Sequence, residues 1–537
     1  NWKGGGKSVT RGRGVLRPPN IWRSDEKGRL VALSAADGSK QTMRYDSWGN
    51  RISVTGRDGS LTTRRFDSRS RITRERTPEG ADYTYAWDDY DRLTSISVRD
   101  ARDRRNLGDP TTITYEYDDT ANPNPSAVTD GTGATTRFDW NERGNLIAQI
   151  DPSGVRTDFT YDSHGDLVAI TNGAGDTTRL VRDEFGRVIK IIDGLGYENT
   201  LTYSSSGVVT AIQNPEGAWW KFIYPTSAES DTPALVRKAQ QRDGAEHTRG
   251  FLPSAVIDPE GNTTCFTYNQ GGDVVSVTDP LGRVTRADYD TWGNLARYVN
   301  ASGGTWEYTW DGLSQLSSIT DPTGATTRYT YDFAGEISSV TDPTGVKAKR
   351  FVQRKGGLER TIAASGSSFK RLDVLGRVTT EGTQTSRGQE HVEDLVTYDA
   401  AGRPVEILDA SGGLTRIERD KAGRPLRVVS AAGRVETYEY DSAGRTTMHA
   451  VGLDTPKRIP DAEGALREAE PTRWAVTRFE YDAASQLVRR INPDGTEEKT
   501  VYDSCGRVIR VVSGARVAAY EYDQCGRITS VQDTTYG

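Results

Sequence analysis

Hydrophobic and polar residues alternate along short segments of this chain, and clusters of Asp, Asn, Pro and Gly separate the segments. In the sequence TTRYTY from Thr326 to Tyr331, the alternation places the rings of Tyr329 and Tyr331 on one face. Thr, Tyr, Val and Ile dominate these segments, and none shows a sustained hydrophobic period of about 3.6 residues. The pattern therefore predicts an all-β protein in which strands and tight turns alternate about 44 times.

One turn motif recurs with a fixed spacing. It has the form Tyr-Asp-x-x-Gly-Arg, and we call it the YD box; its first residues include Tyr45, Phe66 and Trp87, each 21 residues after the previous one. The spacing resumes after interruptions, for example at Trp140 and Tyr161, and about 22 boxes cover nearly the whole chain. Such a period is typical of a repeat protein in which every repeat is one supersecondary unit.

A second motif lies about ten residues before each YD box. It reads Asp-Pro-x-Gly or Asn-Pro-x-Gly in its strongest copies, such as those beginning at Asp151 and Asn214, and we call it the DPxG box. Both boxes favour a type I turn, whose glycine supplies the positive φ of a following bulge, and they therefore predict one β-hairpin per repeat. The residues expected to form these turns include Asp46, Gly49, Asp162, Gly165, Asp290, Gly293, Asp332, Gly335, Asp441, Gly444, Asp321, Pro322 and Gly324.

Breaks in the spacing of the YD boxes divide the chain into a repeat array, a terminal arm and tail, and insertions within the array. We expect residues 24–533 to form the array, with a basic, glycine-rich linker or arm at 1–23 and a short tail at 534–537. The chain begins at Asn1 without an initiator Met, so we expect a processed fragment or a piece cut from a longer protein. Interruptions, where loops or short helices are expected, fall near residues 99–125, 225–250, 381–394 and 451–471.

The number of strands restricts the shape of the sheet. Adjacent strands lie about 4.8 Å apart, so about 44 strands in succession would make a ribbon about 210 Å long. Open twisted sheets rarely exceed about ten strands without curling or splitting. We therefore expect the ribbon to coil on itself and enclose a hollow space; propeller blades are the alternative, although no 42-residue alternation supports them.

Composition argues against several classes of function. Among the 537 residues, 69 Lys and Arg stand against 75 Asp and Glu, and both signs are scattered along the chain, so no nucleic-acid interface is indicated. Hydrophobic residues make up 34%, enough for one face of a sheet. No hydrophobic run approaches the roughly 18 residues that would span a bilayer. Three cysteines exclude a disulfide scaffold.

No group of residues has the spacing of an active site, and we expect a protein that is not an enzyme and binds no cofactor or metal. The turns explain the aspartates of the DPxG boxes. The sequence GGGKS at residues 4–8 ends like a nucleotide-binding loop but lacks its first glycine. Cys505 and Cys525 occupy the same box position in successive repeats, and the question of a disulfide between them stays open. The histidines, expected at the surface or in turns, are His164, His247, His391 and His449.

The boxes resemble the Rhs/YD repeats. The copies YDSAGR from Tyr440, YDAAGR from Tyr398, YDSCGR from Tyr502 and YDQCGR from Tyr522, with the interleaved DPTG and DPLG turns, carry the resemblance over residues 24–533. This family includes bacterial polymorphic toxins, the C subunits of insecticidal Tc toxins and animal teneurins. The resemblance implies a long antiparallel sheet that spirals into a hollow, cocoon-like shell around a C-terminal toxin segment.

The same resemblance implies a function. We expect the encapsulating shell of a Rhs-family toxin, secreted or translocated from a bacterial cell and proteolytically processed, as in type VI secretion effectors used in bacterial competition. Its expected partners are the enclosed cytotoxic polypeptide from the same gene product, other shell fragments and a secretion spike component. The sequence up to Gly537 contains no toxin domain, so we expect the cargo outside this chain. The alternative is a cell-surface adhesion or glycan-binding array that would use Trp87, Trp140 and Trp310.

Overall fold

The structure is a computed structural model. It describes residues 21–34, 40–102, 109–118, 122–224, 251–332, 335–353, 357–363, 366–385, 387–454, 458–460, 466–468 and 470–535. These residues form strands, tight turns and short irregular connections, and no helix occurs among them. The prediction of an all-β protein is confirmed.

The first half of the described chain contains strands of three to eight residues. They are β1 (Ile21–Ser24), β2 (Leu30–Ser34), β3 (Lys40–Tyr45), β4 (Arg51–Thr55), β5 (Leu61–Phe66), β6 (Ile72–Arg76), β7 (Ala81–Trp87), β8 (Leu93–Asp100), β9 (Thr111–Glu116), β10 (Ala127–Thr129), β11 (Thr135–Trp140), β12 (Leu146–Ile150), β13 (Arg156–Tyr161), β14 (Leu167–Thr171), β15 (Thr177–Arg182), β16 (Val188–Ile192), β17 (Glu198–Tyr203), β18 (Val209–Gln213), β19 (Trp219–Ile223), β20 (Ala255–Ile257), β21 (Thr263–Tyr268), β22 (Val274–Thr278) and β23 (Val284–Tyr289).

The second half continues the same alternation with strands of up to nine residues. They are β24 (Leu295–Val299), β25 (Thr305–Trp310), β26 (Leu316–Thr320), β27 (Thr326–Tyr331), β28 (Ile337–Thr341), β29 (Lys347–Gln353), β30 (Leu358–Ala363), β31 (Gly366–Leu372), β32 (Val378–Gln384), β33 (Glu390–Tyr398), β34 (Pro404–Asp409), β35 (Leu414–Arg419), β36 (Pro425–Val429), β37 (Val435–Tyr440), β38 (Thr446–Gly452), β39 (Arg458–Pro460), β40 (Leu466–Glu468), β41 (Trp474–Tyr481), β42 (Leu487–Ile491), β43 (Glu497–Tyr502), β44 (Val508–Ser513), β45 (Arg516–Tyr522) and β46 (Ile528–Thr535).

One long antiparallel sheet contains 44 of these strands, and β39 and β40 form a separate two-stranded sheet. In the hairpin β27–β28, Tyr329 lies opposite Val340 and Thr330 opposite Ser339, and the register shifts between Thr330 and Tyr331. The same shift before the last residue of the strand recurs in other YD hairpins. Because this bulge recurs, each repeat reproduces the register of the previous one.

The two faces of the sheet differ in composition. From β13 to β18, one face carries large hydrophobic side chains that are cross-strand neighbours, and we call it the apolar face. Its members there are Phe159, Ile170, Leu180, Ile191, Leu201 and Ile212. The opposite face carries mostly polar residues such as Thr160, Arg179 and Lys190. The side chains of the apolar face are half-buried or exposed, because the strands pack mainly against their neighbours within the sheet.

The chain divides into two compact units. Unit 1 comprises residues 1–133 and 287–413, and unit 2 comprises residues 134–286 and 414–537. Each unit therefore combines two stretches of chain that are distant in sequence, and we call them its early and late segments. Several contacts between the early and late segments of one unit are made by turns.

Two additions to the array differ from the expectation. Residues 381–394 were expected as a loop or short helix, but they belong largely to β32 and β33, where Thr383 pairs with His391. The strands continue there because the turn is shifted outward to Thr385–Gly388, where Gly388 donates to the carbonyl of Thr385. Within 451–471, β39 and β40 form a small hairpin rather than a loop.

The beginning of the array also differs from the expectation. Strand β1 begins at Ile21 and pairs with β2, so the array starts three residues before its expected start at residue 24. Residues 1–20, the insertion at 225–250 and residues 103–108 of the insertion near 99–125 lie outside the described residues. None of the described residues belongs to a helix long and apolar enough to cross a membrane.

Candidate functional site

Each YD box folds into a turn that its own aspartate organises. In the copy at Asp183, Oδ1 accepts the backbone N–H groups of Phe185 at 2.9 Å and Arg187 at 3.0 Å, and Oδ2 accepts Nε of Arg187 at 2.7 Å. The N–H of Gly186 donates to the carbonyl of Asp183 at 3.0 Å, and its φ of 77° is the left-handed value that the bulge requires. The guanidinium of Arg187 holds the pKa of the Asp183 carboxyl below its usual range.

The tyrosine or tryptophan that begins many YD boxes binds the preceding repeat. The hydroxyl of Tyr203 donates to the carbonyl of Val188 at 2.8 Å, and the guanidinium carbon of Arg187 lies 4.8 Å from the ring centroid of Tyr203. Tyr, Asp, Gly and Arg therefore form one linked unit that joins each repeat to the next. Other box-start side chains that donate to a carbonyl of the preceding repeat are Tyr45, Trp87, Tyr224, Tyr268, Trp310, Tyr331, Tyr398, Tyr440, Tyr481, Tyr502 and Tyr522.

The structure places the turn residues singled out in the YD boxes at the ends of hairpins. Their aspartates accept backbone N–H groups within their own turns, and their glycines have φ values between 80° and 98°. These residues are Asp46 with Gly49, Asp162 with Gly165, Asp290 with Gly293, Asp332 with Gly335, and Asp441 with Gly444.

The DPxG turn at Asp321 has the same backbone as the YD turns but a different partner for its aspartate. Oδ1 of Asp321 accepts the N–H of Thr323 at 2.8 Å and its hydroxyl at 2.6 Å, which lowers the pKa of Asp321. Pro322 occupies the second position, and Gly324 has a φ of 86°. These hydrogen bonds stay within the turn, so the YD turns carry the links between repeats.

In unit 2, YD turns of the late segment lie against DPxG turns of the early segment, and we call this row of contacts the seam. A Cβ added to Gly173 would lie 1.9 Å from the carbonyl oxygen of Ser442, and one added to Gly194 would lie 2.2 Å from that of Ala483. Only glycine permits two backbones to approach this closely.

Farther along the seam, ion pairs join the two segments. Nη2 of Arg507 lies 2.6 Å from Oε2 of Glu216, and Arg527 pairs with Glu260 in the same way. The glycine contacts and the ion pairs all join turns that are 23 strands of the large sheet apart. In unit 1, the close approach of Gly131 to Ala400 has the same separation. The seam therefore follows the register of the repeats.

A cavity of about 560 Å³ lies in the seam of unit 2. Its wall includes Asn199 and Trp220 of the early segment and Ala484, Cys505 and Cys525 of the late segment. Both thiols are free, and burial raises the pKa of each. Successive YD turns are two strands apart, about 9.6 Å, which exceeds the roughly 7 Å between Cα atoms that a disulfide can span. Cys505 and Cys525 are therefore not a disulfide pair.

A carboxylate and thiol cluster lies at each ion pair of the seam. In the first, ligand atoms of Glu216, Asp503 and Cys505 lie within 4.8 Å of one another. The guanidinium of Arg507 is 2.6 Å from both carboxylates, so an arginine already supplies the positive charge that a metal would bring. We therefore interpret the clusters as ion-pair networks. The repeat-related second cluster consists of Glu260, Asp523, Cys525 and Arg527.

A polar cluster of Glu436, Tyr438 and His449 was not predicted from the sequence. His449 lies in β38, where it pairs with Tyr438 and stacks on its ring at a centroid distance of 4.7 Å. Its Nε2 is 3.0 Å from Oε2 of Glu436, which also accepts the Tyr438 hydroxyl at 2.9 Å. The prediction of a surface or turn position is wrong for His449, because strand pairing places it between these partners. Alternation of Glu436, Tyr438 and Tyr440 on one face was the available signal.

The other described histidines are exposed, and the cysteine outside the seam is buried. His164 lies in an exposed YD turn and His391 is exposed in β33, whereas His247 lies outside the described residues. Cys265 is buried in β21 with 2% exposure, and burial raises its pKa to about 11.

Comparison with known protein families finds the RHS repeat. Its family model matches residues 25–63, 120–156, 140–178, 161–198, 289–326, 310–347, 398–434 and 419–452. This chain is an RHS-repeat protein. The match falls on the YD and DPxG turns described above, and it agrees with the resemblance inferred from them. A comparison with curated protein sequences finds no match.

Solved structures with the same fold come from Tc toxins. The crystal structure of TcdB2-TccC3-TEV matches with a TM-score of 0.57 and 11% identity, covering 95% of this chain and 35% of that one. The Photorhabdus luminescens Tc holotoxin pore with a mutated TccC3 matches with a TM-score of 0.54 and 12% identity, covering 94% and 33%. This RHS-repeat chain thus spans about a third of the length of the structures it matches. The predicted fold class is confirmed by the long antiparallel sheet and by these matches.

Proposed function

We propose that this RHS-repeat chain forms part of the wall of an encapsulating shell and that its apolar face holds an unfolded polypeptide. The observation that carries the proposal is the exposure of large hydrophobic side chains on this face. Ile191 in β16 and Trp220 in β19, both on this face, each expose 37% of their surface. Soluble proteins rarely expose a continuous hydrophobic surface unless another molecule covers it.

An extended polypeptide suits this surface better than a folded one. Burial of one large hydrophobic side chain of the guest against the wall contributes about 1.5–3 kcal/mol. A folded guest already buries such side chains in its own core and gains much less. Since the same face positions recur on each hairpin, as Leu180 and Leu201 illustrate, binding would tolerate many guest sequences.

The identity of the guest follows from the family. We propose a cytotoxic polypeptide that is part of the same gene product, enclosed until delivery and released after proteolytic processing. Secretion or translocation from a bacterial cell, by type VI secretion with a spike component as partner, and a role in bacterial competition belong to this proposal. The fold shared with Tc toxin structures supports it. In this proposal the wall acts sterically, and any enzymatic activity belongs to the guest.

The alternative of a glycan-binding array is less well supported. Such an array needs the rings at the box starts to be open to solvent. Nε1 of Trp87 and of Trp310 each donates to a backbone carbonyl at 2.7 Å, and both residues are half-buried. Trp140 lies beside Phe138 at a centroid distance of 6.3 Å. These rings pack between repeats, as a shell wall requires.

Two adjacent residues provide a direct test of the wall function. Leu180 lies on the apolar face, and Val181 lies on the opposite face with 38% exposure. We expect Leu180→Asp to weaken binding of a fluorescent, reduced and carboxymethylated polypeptide at least about tenfold, whereas Val181→Asp leaves it unchanged. Binding would be measured by fluorescence anisotropy. Equal loss in both variants, or none in either, contradicts the proposal.

Native mass spectrometry tests for the guest itself. The protein would be purified from its native source without denaturant and its mass compared before and after unfolding. A second polypeptide that appears only after unfolding supports encapsulation and identifies the guest. A mass of 59.0 kDa under both conditions contradicts stable enclosure by this chain alone.

A further inference from the structure

The seam of unit 2 consists of two parts that are held together differently. In the first part, Gly173 and Gly194 bring backbone against backbone, so that a Cβ on either would overlap the facing carbonyl oxygen. In the second part, the segments are joined through the pairs of Arg507 with Glu216 and Arg527 with Glu260. Salt screens exposed ion pairs but leaves close backbone packing nearly unchanged.

A cavity of about 560 Å³ runs along both parts of the seam, since Gly194 and Ala483 of the first part line it as well as Cys505 and Cys525 of the second. The two parts therefore differ in what crosses the seam: backbone contacts in the first and side-chain ion pairs in the second. Arg527 is 59% exposed and Glu260 32%, so water and salt reach the outer pair readily.

The first part has one ion pair of its own. Arg445 lies 3.6 Å from Asp176, and both side chains are less than 20% exposed. Because the glycine contacts of Gly173 lie in the same turn as Asp176, loss of this pair leaves the backbone contact in place. The two parts of the seam are therefore expected to respond differently to salt.

We propose that the second part of the seam is a gate in the wall. The gate consists of turns 214–217 and 258–261 of the early segment and turns 503–506 and 523–526 of the late segment. It opens when the two arginine–glutamate pairs are weakened, while the glycine contacts keep the first part closed and act as the hinge. Opening joins the cavity to solvent and separates the edges of the wall. Encapsulation as such does not require this gate, so the inference goes beyond the proposed function.

The protein carries its own reporters of opening. The thiol of Cys505 lies within 4.8 Å of the Glu216 carboxylate across the seam, and that of Cys525 lies within the same distance of the Glu260 carboxylate. Both contacts are lost when the gate opens. Cys265 is 2% exposed within the sheet and reports unfolding instead. The ratio of labelling at these positions therefore separates gate opening from loss of the fold.

The experiment is maleimide labelling of the full chain, followed by peptide mass spectrometry. Labelling rates of each cysteine would be measured at about 0.05 M and about 1 M NaCl, where the Debye length falls to about 3 Å. The variant Glu216→Gln with Glu260→Gln would be compared at low salt. The matched control is Glu198→Gln, which removes an exposed ion pair with Lys190 that lies within the early segment and does not cross the seam.

We expect labelling of Cys505 and Cys525 to increase about tenfold in high salt and in the double variant, with no change at Cys265 and none in Glu198→Gln. Such a factor corresponds to about 1.4 kcal/mol, the scale of two ion pairs of which one is exposed and the other half-buried. Equal rates at low and high salt, or a parallel increase at Cys265, overturn the gate. Because this readout needs no guest, a failure here leaves the result of the polypeptide-binding test unaffected.

Discussion

Two sets of YD turns in unit 2 have the same backbone and differ at their third residue. In the early segment that residue is exposed, and in three turns it is large: Arg143, His164 and Phe185, the last with 73% exposure. In the late segment it is small, as in Ala443 and Ala484, and half-buried. The late turns lie against DPxG turns of the early segment, whereas the described contacts of the early YD turns are with neighbouring repeats.

This difference separates the box residues that build the repeat from the residue whose size depends on packing. Tyr, Asp, Gly and Arg build the hairpin and link it to the next repeat, so they recur in both segments. The residue before the glycine, the third of the turn, is not part of this unit, although Arg143 at this position donates to the carbonyl of Ser163 in the next YD turn. Its size follows whether the turn is packed against a turn of the other segment. The late YD turns, which pack against early DPxG turns, require a small residue at the third position. The reason is that the backbones of Gly173 and Gly194 lie close to those of Ser442 and Ala483.

Acid should remove the stabilisation that ionised aspartates give to both sets of turns. The guanidinium of Arg187 lowers the pKa of Asp183; burial opposes ionisation of Asp441, but bonds from Arg445 outweigh it and lower that pKa too. The folded pKa lies below the unfolded value of about 3.9. The resulting stabilisation is therefore complete above about pH 4 and is lost as the pH falls below it. Circular dichroism and tryptophan fluorescence should both report loss of the hairpins between pH 4 and pH 2. Retention of both signals at pH 2 would contradict this role of the aspartates.

Substitution of a seam glycine should separate the two segments of unit 2. Gly194→Ala places a methyl group 2.2 Å from the carbonyl oxygen of Ala483, and we expect a loss of about 1–3 kcal/mol. Hydrogen exchange should show faster exchange in turns 193–196 and 482–485. The control is Gly271→Ala, since a Cβ there meets only side-chain atoms of its own turn, the nearest at 3.0 Å. Similar exchange in the two variants would show that the seam carries no packing energy.

Exchanging the third residue tests the comparison itself. Ala443→Trp introduces an early-type residue into a docked turn, and we expect it to destabilise unit 2 by about 1–3 kcal/mol. The reverse change, Phe185→Ala, removes only an exposed ring stacked 4.9 Å from Arg187, and we expect an effect within about 0.5 kcal/mol. Guanidinium unfolding followed by hydrogen exchange would measure both. Equal effects would mean that docking does not determine the residue at this position.

The sequence alone allowed much of the fold to be predicted. The period, the turn type and the strand alternation are local properties. The Asp and Gly of each box predict its turn, and the alternating residues between boxes predict the strands. The role of the box tyrosine was less accessible, because the hydroxyl of Tyr203 binds a carbonyl 15 residues earlier. Cross-strand packing was predicted for these rings, but the hydrogen bond was not.

The seam could not be predicted, for a physical reason. Arg507 and Glu216 are 291 residues apart, and nothing local in either box indicates that they meet. The sequence signal was the change from large to small residues at the third position of the YD turns along the chain. This change can be interpreted only when it is known that the turns 23 strands apart pack against each other. His449 was missed similarly, since its partners are fixed by strand register rather than by histidine spacing.

The smallest expected effect concerns serines that stand where the YD turn normally has glycine. Ser70 and Ser485 both have a φ of 62°, a conformation that costs a non-glycine residue roughly 1–2 kcal/mol. Ser485 recovers part of this cost, because its hydroxyl lies 3.1 Å from Nη1 of Arg445 in the preceding YD turn. We therefore expect Ser70→Gly to stabilise unit 1 by about 0.5 kcal/mol, and Ser485→Gly to be neutral in unit 2. Thermal unfolding of the two variants against the parent would measure this difference. A larger gain from Ser485→Gly would mean that the bond to Arg445 contributes nothing, and that links between repeats reside in the tyrosine and aspartate alone.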